Sequence, residues 1–128
     1  MQIAQKNFYK KFLGRKGEIE AVKYLSANGY KILDRNFHSR FGEIDIIASK
    51  KDIIAFIEVK TRSENAIYSP REAVDFHKQQ KCIKTAQAYL VQNRVELQPR
   101  FDVSEILLQN REDNKLRLKE FNYIENAF

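Results

Sequence analysis

The chain of 128 residues contains little cysteine, proline or glycine. Its single cysteine, Cys82, excludes an internal disulfide framework and a zinc site built from several cysteines. Two prolines and four glycines do not suit a linker-rich or fibrous chain. No apolar run approaches the roughly 20 residues of a membrane-spanning helix, and residues 1–12 lack the apolar segment of a secretory signal. We therefore expect a soluble cytoplasmic protein.

The apolar content is high enough for a packed core, because 43% of the residues are hydrophobic and 12% are aromatic. This composition argues against disorder, and the length suits one domain of the usual size. We expect a single domain over residues 1–128, with residues 1–11 as a candidate mobile basic arm.

The positive charge is concentrated at the N-terminal end of the chain. Residues 1–40 hold nine basic and three acidic side chains, a net charge of +6 that equals that of the whole chain. The remaining 14 basic and 14 acidic groups cancel. A basic end indicates a polyanionic partner, either nucleic acid or an acidic membrane surface.

Local patterns predict two helices and five strands. Their order is helix, three strands, helix, two strands, which favours an α/β protein with a mixed sheet flanked by helices. The tetrad Ser49–Asp52 predicts a hairpin between the second and third strands, and Phe37–Gly42 is expected to be a loop. The predicted helices are 16–28 and 70 to about 93, and the predicted strands are 30–36, 43–48, 53–61, 101–108 and 116–123.

The start of the second helix has a clear capping pattern. Ser69 suits the N-cap, Pro70 suits the first helical position, and Glu72 completes a capping box.

A charged cluster is predicted where the third strand ends. Five apolar residues, 53–57, indicate a strand buried on both faces. Side chains alternate along a strand, so Glu58, Lys60 and Arg62 should share one face. Asp45, between two isoleucines on the preceding strand, is costly to bury without a partner.

Two interpretations of this cluster remain open. Asp45 and Glu58 supply the oxygen ligands that Mg²⁺ prefers, and Lys60 beside them would stabilise developing negative charge or help to activate a water. The alternative is an Asp45–Lys60 or Glu58–Lys60 ion pair, because such a pattern often arises by chance.

Each predicted helix carries a polar residue on its apolar side. At 100° per residue, Glu18 lies with Ala21 and Leu25, whereas Glu20 points away and is expected in solvent. On the second helix Gln79 lies within the apolar stripe and Lys78 at its margin. Buried polar residues are common, but two of them beside the acidic cluster favour a shared site.

The segments Gly42–Ala48 and Phe56–Arg62 resemble the signature of the bacterial YraN family of predicted nucleases. That family is similar to archaeal Holliday-junction resolvases and is placed in the PD-(D/E)XK, or restriction-endonuclease-like, superfamily. The resemblance extends over about residues 12–128 and includes further segments, namely 14–18, 24–25, 29–30, 72–74, 78–79, 88–90, 100–103 and 126–128.

The resemblance implies a three-layer fold with about five strands in a mixed central sheet. It also implies catalytic roles for five residues: Glu18, Asp45, Glu58, Lys60 and Gln79. Of these, Asp45 and Glu58 correspond to metal-binding acids, Glu18 to a helix glutamate that completes the metal shell, and Lys60 to the catalytic lysine. The implied cofactor is Mg²⁺, with Mn²⁺ as a substitute, and related resolvases suggest a homodimer.

We therefore expect a Mg²⁺-dependent DNA endonuclease, similar to a Holliday-junction resolvase, that acts in DNA repair or recombination. The expected partner is DNA, branched or structured DNA included, and its expected contacts are Lys10, Lys11, Arg15, Lys16, Arg40, Arg62 and Lys78. The alternative is a catalytically inactive nucleic-acid-binding accessory protein of the same fold. A membrane-surface module leaves the acidic cluster unexplained, and one cysteine with two histidines disfavours a zinc enzyme.

Overall fold

The computed structural model describes the chain over residues 3–64, 75–110 and 115–128. Two helices flank a five-stranded mixed sheet, in the predicted order α-β-β-β-α-β-β, which confirms the predicted fold class. The strands lie in sequence order across the sheet. The β3–β4 pair is parallel and the other three pairs are antiparallel. The elements are α1 (Ile3–Ala27), β1 (Lys31–Ser39), β2 (Gly42–Lys50), β3 (Ile53–Ser63), α2 (Phe76–Gln92), β4 (Gln98–Asn110) and β5 (Leu116–Ile124).

Helix α1 is longer than the sequence pattern predicts. It begins at Ile3, so the residues from Ile3 to Lys11, taken above as a candidate arm, are helical. Most side chains in this stretch are good helix formers and no proline interrupts it, so the helix does not need an apolar stripe to extend. It ends at Ala27, one residue before the predicted end, and Gly29 just beyond it adopts a φ of 84°.

The predicted loop Phe37–Gly42 is wrong over most of its length. Strand β1 continues to Ser39, and only Arg40 and Phe41 form the turn into β2. Phe37 packs against the core, whereas the next residue, His38, is exposed. The segment is therefore a strand with one buried and one exposed face. The β1–β2 register also shifts between Ile32 and Asp34, as at a bulge.

Helix α2, as described, begins at Phe76 with Asp75 as its N-cap. The Asp75 carboxylate accepts a hydrogen bond of 2.8 Å from the backbone N–H of Lys78. The cap predicted at Ser69, Pro70 and Glu72 lies outside the described residues.

Strand β4 begins before its predicted start and includes Pro99. Pro99 pairs with β3, whereas the pairing of β4 with β5 starts only at Val103. A proline is tolerated there because β4 has a neighbour on one side only at that point.

The hydrophobic core has two parts, one on each face of the sheet. Helix α1 covers a cluster that includes Leu25, Ile46 and Ile57, each fully buried. Helix α2 covers a cluster that includes Phe56 and Tyr89. Strand β3 contributes to both clusters and is buried on both faces, as predicted. In the described part of the chain, no helix combines the length and apolarity needed to cross a membrane.

Candidate metal and nucleic-acid site

Asp45 lies where strands β2 and β3 begin to separate. Their pairing ends at Ile46 and Ile57, and the Asp45 carboxylate accepts a hydrogen bond of 2.7 Å from the backbone N–H of Val59. The side chain thus satisfies a donor that the neighbouring strand no longer pairs, and the carboxylate is fixed at the edge of the buried sheet.

The environment of Asp45 disfavours its negative charge. Burial, followed by the charge of Glu58, raises the pKa of Asp45 to about 7, against the lowering effect of the hydrogen bond from Val59. The charges of Glu18 and Glu43 raise it further. The acidic groups are therefore close enough to repel, which is the arrangement that a bound cation relieves.

Glu58 lies on the face of β3 that is covered by α2. Ile54 and Phe56 face α2, and Glu58 follows them by the alternation of the strand. Its side chain is only 15% exposed, and Oε1 lies 2.5 Å from Nζ of Lys78. Sequence reasoning expected Lys78 to contact DNA, whereas the structure directs its ammonium group to the Glu58 carboxylate.

The contact with Glu58 also affects Lys78. Desolvation lowers the pKa of Lys78, but the hydrogen bond and the charge of Glu58 together outweigh this effect, so the pKa is raised. Lys78 therefore stays protonated and neutralises part of the acidic cluster.

Lys60 and Arg62 continue along the same face of β3, as predicted. Lys60 is half-buried and lies in register with Glu105 on the parallel strand β4. Nη2 of Arg62 lies 3.9 Å from Oε2 of Glu105. The two cations and this acidic residue extend the charged row beyond Glu58.

Glu18 reaches the site from the opposite face of the sheet. Its side chain is 16% exposed and lies 3.2 Å from Nη2 of Arg35, so its predicted orientation toward the core is confirmed. Helix α1 packs closely on β3 at Gly17, where a larger residue would not fit, because its Cβ atom would clash with Oγ1 of Thr61. Gln79 is half-buried on α2, one residue after Lys78.

The described residues supply two main candidate ligands for a metal ion. Among the described residues, no group of three or more histidine, cysteine or acidic side chains is placed so that it could hold a metal ion. Glu18 as a third ligand therefore remains a prediction. Mg²⁺ commonly binds through one or two carboxylates and completes its shell with water and substrate phosphates, so Asp45 and Glu58 fit it.

The predicted phosphate contacts on α1 differ in exposure. Lys11 and Arg15 are exposed, and the side chain of Lys10 lies outside the described part. Nζ of Lys16 lies 3.8 Å from Oε1 of Glu20. The expectation that Glu20 is solvated is wrong, because its side chain is only 15% exposed and its Oε1 also lies 3.8 Å from Nζ of Lys23.

Arg40 is placed by the β1–β2 turn, where its guanidinium lies 4.8 Å from the centre of the Phe41 ring. Sequence reasoning did not identify Phe41, nor Lys81 and Lys84 on α2. The spacing of Lys78, Lys81 and Lys84 by three residues was a usable signal, because it places them close together along one side of the helix.

Comparison with known proteins gives consistent matches over most of the chain. Residues 17–106 match the model of a family described as "Uncharacterised protein family UPF0102". A UPF0102 protein of Caldanaerobacter subterraneus subsp. tengcongensis is 50% identical over 124 residues, which cover 96% of this chain and 99% of that protein. One of Acetivibrio thermocellus is 44% identical over 129 residues, with 99% and 98% coverage. One of Clostridium tetani is 50% identical over 109 residues, with 84% and 89% coverage.

Proposed function

The chain belongs to the UPF0102 family, which confirms the resemblance to YraN, and we propose that it is a metal-dependent endonuclease that acts on DNA. The observation that carries the proposal is the environment of Asp45. Its carboxylate is held by the Val59 N–H and repelled by Glu58 and Glu18. This arrangement costs stability in the protein alone and becomes favourable when a dication neutralises the charges.

Asp45 and Glu58 would hold the metal ion, and a role for Glu18 as a further ligand is proposed from the resemblance alone. A bound Mg²⁺ or Mn²⁺ would supply Lewis-acid stabilisation of a phosphodiester group and lower the pKa of a bound water. In this proposal Asp45 is fixed before any ligand arrives, because the Val59 N–H already orients its carboxylate.

Lys60 would stabilise the negative charge that develops on the phosphate. It lies two residues after Glu58, so the alternation of β3 directs both side chains to the α2 face. Exposed Lys11 and Arg15 on α1 would bind the DNA backbone, which supplies affinity but little sequence specificity. A branched substrate and a role in repair or recombination are proposed from the resemblance to resolvases alone.

One observation favours a second candidate, a DNA-binding accessory protein that does not cut. The Lys78 ammonium already pairs with Glu58, so the Glu58 charge is compensated without a metal ion. In this case Asp45 and Glu58 would be structural, and DNA binding would not depend on a divalent metal.

Cleavage assays on linear duplex, single-stranded, flap and four-way-junction DNA, with Mg²⁺ or Mn²⁺, test the proposal. Asp45→Asn and Lys60→Ala should each reduce the cleavage rate by about 10²-fold or more, because Asp45→Asn weakens the hold on the metal ion and Lys60→Ala removes a positive charge beside the developing negative charge. The matched controls are Asp52→Asn and Lys51→Ala in the exposed β2–β3 turn, and they should cut like the wild type.

Absence of cleavage by the wild type on every substrate would refute the endonuclease proposal. So would equal rates for the site variants and their turn controls. Metal-independent DNA binding by a wild type that does not cut would support the accessory protein instead.

A further inference from the structure

A second basic surface lies on the α2 side of the sheet, next to the β1–β2 turn. The guanidinium of Arg40 and the ammonium of Lys84 lie 4.8 Å and 5.8 Å from the centre of the Phe41 ring. Lys81 lies one turn before Lys84 on the same side of α2, against Gly42. We call these four residues, Arg40, Phe41, Lys81 and Lys84, the turn patch.

The turn patch is built on a fixed scaffold. Oγ of Ser39 donates a hydrogen bond of 3.3 Å to Oγ1 of Thr85 and accepts one of 3.1 Å from the N–H of Phe41. A Cβ atom at Gly42 would already be in ordinary contact with Thr85 and Lys81. The turn and α2 are therefore in contact, and the Phe41 ring holds two cations by cation–π attraction.

The net charge around the turn patch is positive. Helix α2 contains three lysines and no acidic residue. The acidic residue at the start of β2, Glu43, lies 3.3 Å from Nδ1 of His38. Arg40, Lys81 and Lys84 are all exposed, so their charges are available to a ligand.

The lysines of α2 form a row that leads to the candidate metal site. Lys78 contacts Glu58, and Lys81 and Lys84 follow at about 4.5 Å intervals along the helix axis. One strand of DNA carries a phosphate about every 3.4 Å along its axis. Lys81 and Lys84, which are both exposed, are therefore spaced for contact with neighbouring phosphates of one strand, whereas Lys78 is held by Glu58.

We propose that the turn patch binds the phosphate backbone of the DNA, next to the point at which the acids would act. This proposal rests on the proposed function, and it adds a contact surface on the face of the sheet opposite to α1. The DNA would thereby be held from both faces of the sheet, by Lys11 and Arg15 on one side and by the turn patch on the other.

The test compares two double variants that remove equal charge. Lys81→Gln/Lys84→Gln alters the turn patch, whereas Lys51→Gln/Arg94→Gln alters exposed cations elsewhere. Lys51 lies in the β2–β3 turn, and Arg94 lies in the segment between α2 and β4. Strand β4 starts beside the β2–β3 turn, because the N–H of Gln98 bonds the carbonyl of Asp52. The dissociation constant for a labelled four-way junction and its linear duplex is measured in EDTA from about 50 to 200 mM salt.

The turn-patch variant should bind at least tenfold more weakly at low salt. On duplex DNA, the slope of log affinity against log salt should fall by about 0.9 for each phosphate that the variant no longer neutralises. The control pair should stay within about twofold of the wild type. Phe41→Leu, which keeps the charge, should weaken binding by a smaller factor, because Arg40 and Lys84 lose the aromatic ring that both contact.

Equal binding by the two double variants, or a wild type that does not bind DNA in EDTA, would overturn this proposal. Cleavage is not needed for this measurement, so a wild type that binds through the patch without cutting would contradict only the endonuclease proposal.

Discussion

Replacing Asp45 with Asn should stabilise the folded protein in a pH-dependent manner. Burial and the charge of Glu58 raise the pKa of Asp45 to about 7 in the fold, whereas an aspartic acid in an unfolded chain titrates near about 3.9. Between these values the folded state keeps a proton that the unfolded state has lost, so wild-type stability falls as the pH rises. The penalty is absent below about pH 4 and complete above about pH 7.

The size of the penalty follows from the shift of the pKa. A shift of about three units corresponds to about 4 kcal/mol, at about 1.36 kcal/mol per unit. Asn carries no charge, and its amide oxygen can still accept the hydrogen bond of Val59. We therefore expect Asp45→Asn to exceed the wild type by about 2–4 kcal/mol above pH 7 and by less than about 0.5 kcal/mol near pH 4.

Urea unfolding in EDTA at about pH 4, 5.5, 7 and 8 gives the free energy of unfolding for both proteins. Asp52→Asn is the control, because it makes the same chemical change at an exposed turn, and it should show no comparable trend. Millimolar Mg²⁺ should reduce the advantage of Asp45→Asn, since a cation that binds only the folded wild type stabilises it. An advantage that is the same at pH 4 and pH 8, or a less stable variant at pH 8, would refute the reasoning.

Two further predictions concern stability. Asp102→Ala should lower the free energy of unfolding by about 3–5 kcal/mol in urea titrations, because it leaves Arg100 without the fully buried carboxylate that it bonds at 2.8 Å; a decrease below about 1 kcal/mol would contradict this account. Gly17→Ala should destabilise the protein because its Cβ would clash with Oγ1 of Thr61, and the added change Thr61→Ala should restore much of the stability. A double-mutant cycle with no coupling between these two positions would rule out the clash as the cause.

The sequence predicted the central pair of acids because their proximity depends on local structure. The polar tetrad Ser49–Asp52 indicated an antiparallel hairpin, and the observed register pairs Ile46 with Ile57. Extending that register by one residue brings Asp45 opposite Glu58. The helical repeat similarly indicated that Glu18 points inward, and its side chain is 16% exposed.

Contacts that depend on distant pairing were not predictable in this way. Glu105 lies beside Lys60 only because β4 pairs with β3 in parallel, after the chain has crossed over through α2. No local pattern fixes the register of such a pair. The ion pair between Lys78 and Glu58 also depends on how α2 packs on the sheet, so the sequence indicated its position but not its partner.

The two outer strands of the sheet affect how copies of the chain can associate. An outer strand offers unpaired backbone groups to which another chain can add. Strand β1 is irregular between Ile32 and Asp34, and β5 presents exposed charges at Arg117, Lys119 and Glu120. Both features oppose strand addition, so two copies of this protein are not expected to associate by continuing the sheet from one copy to the next.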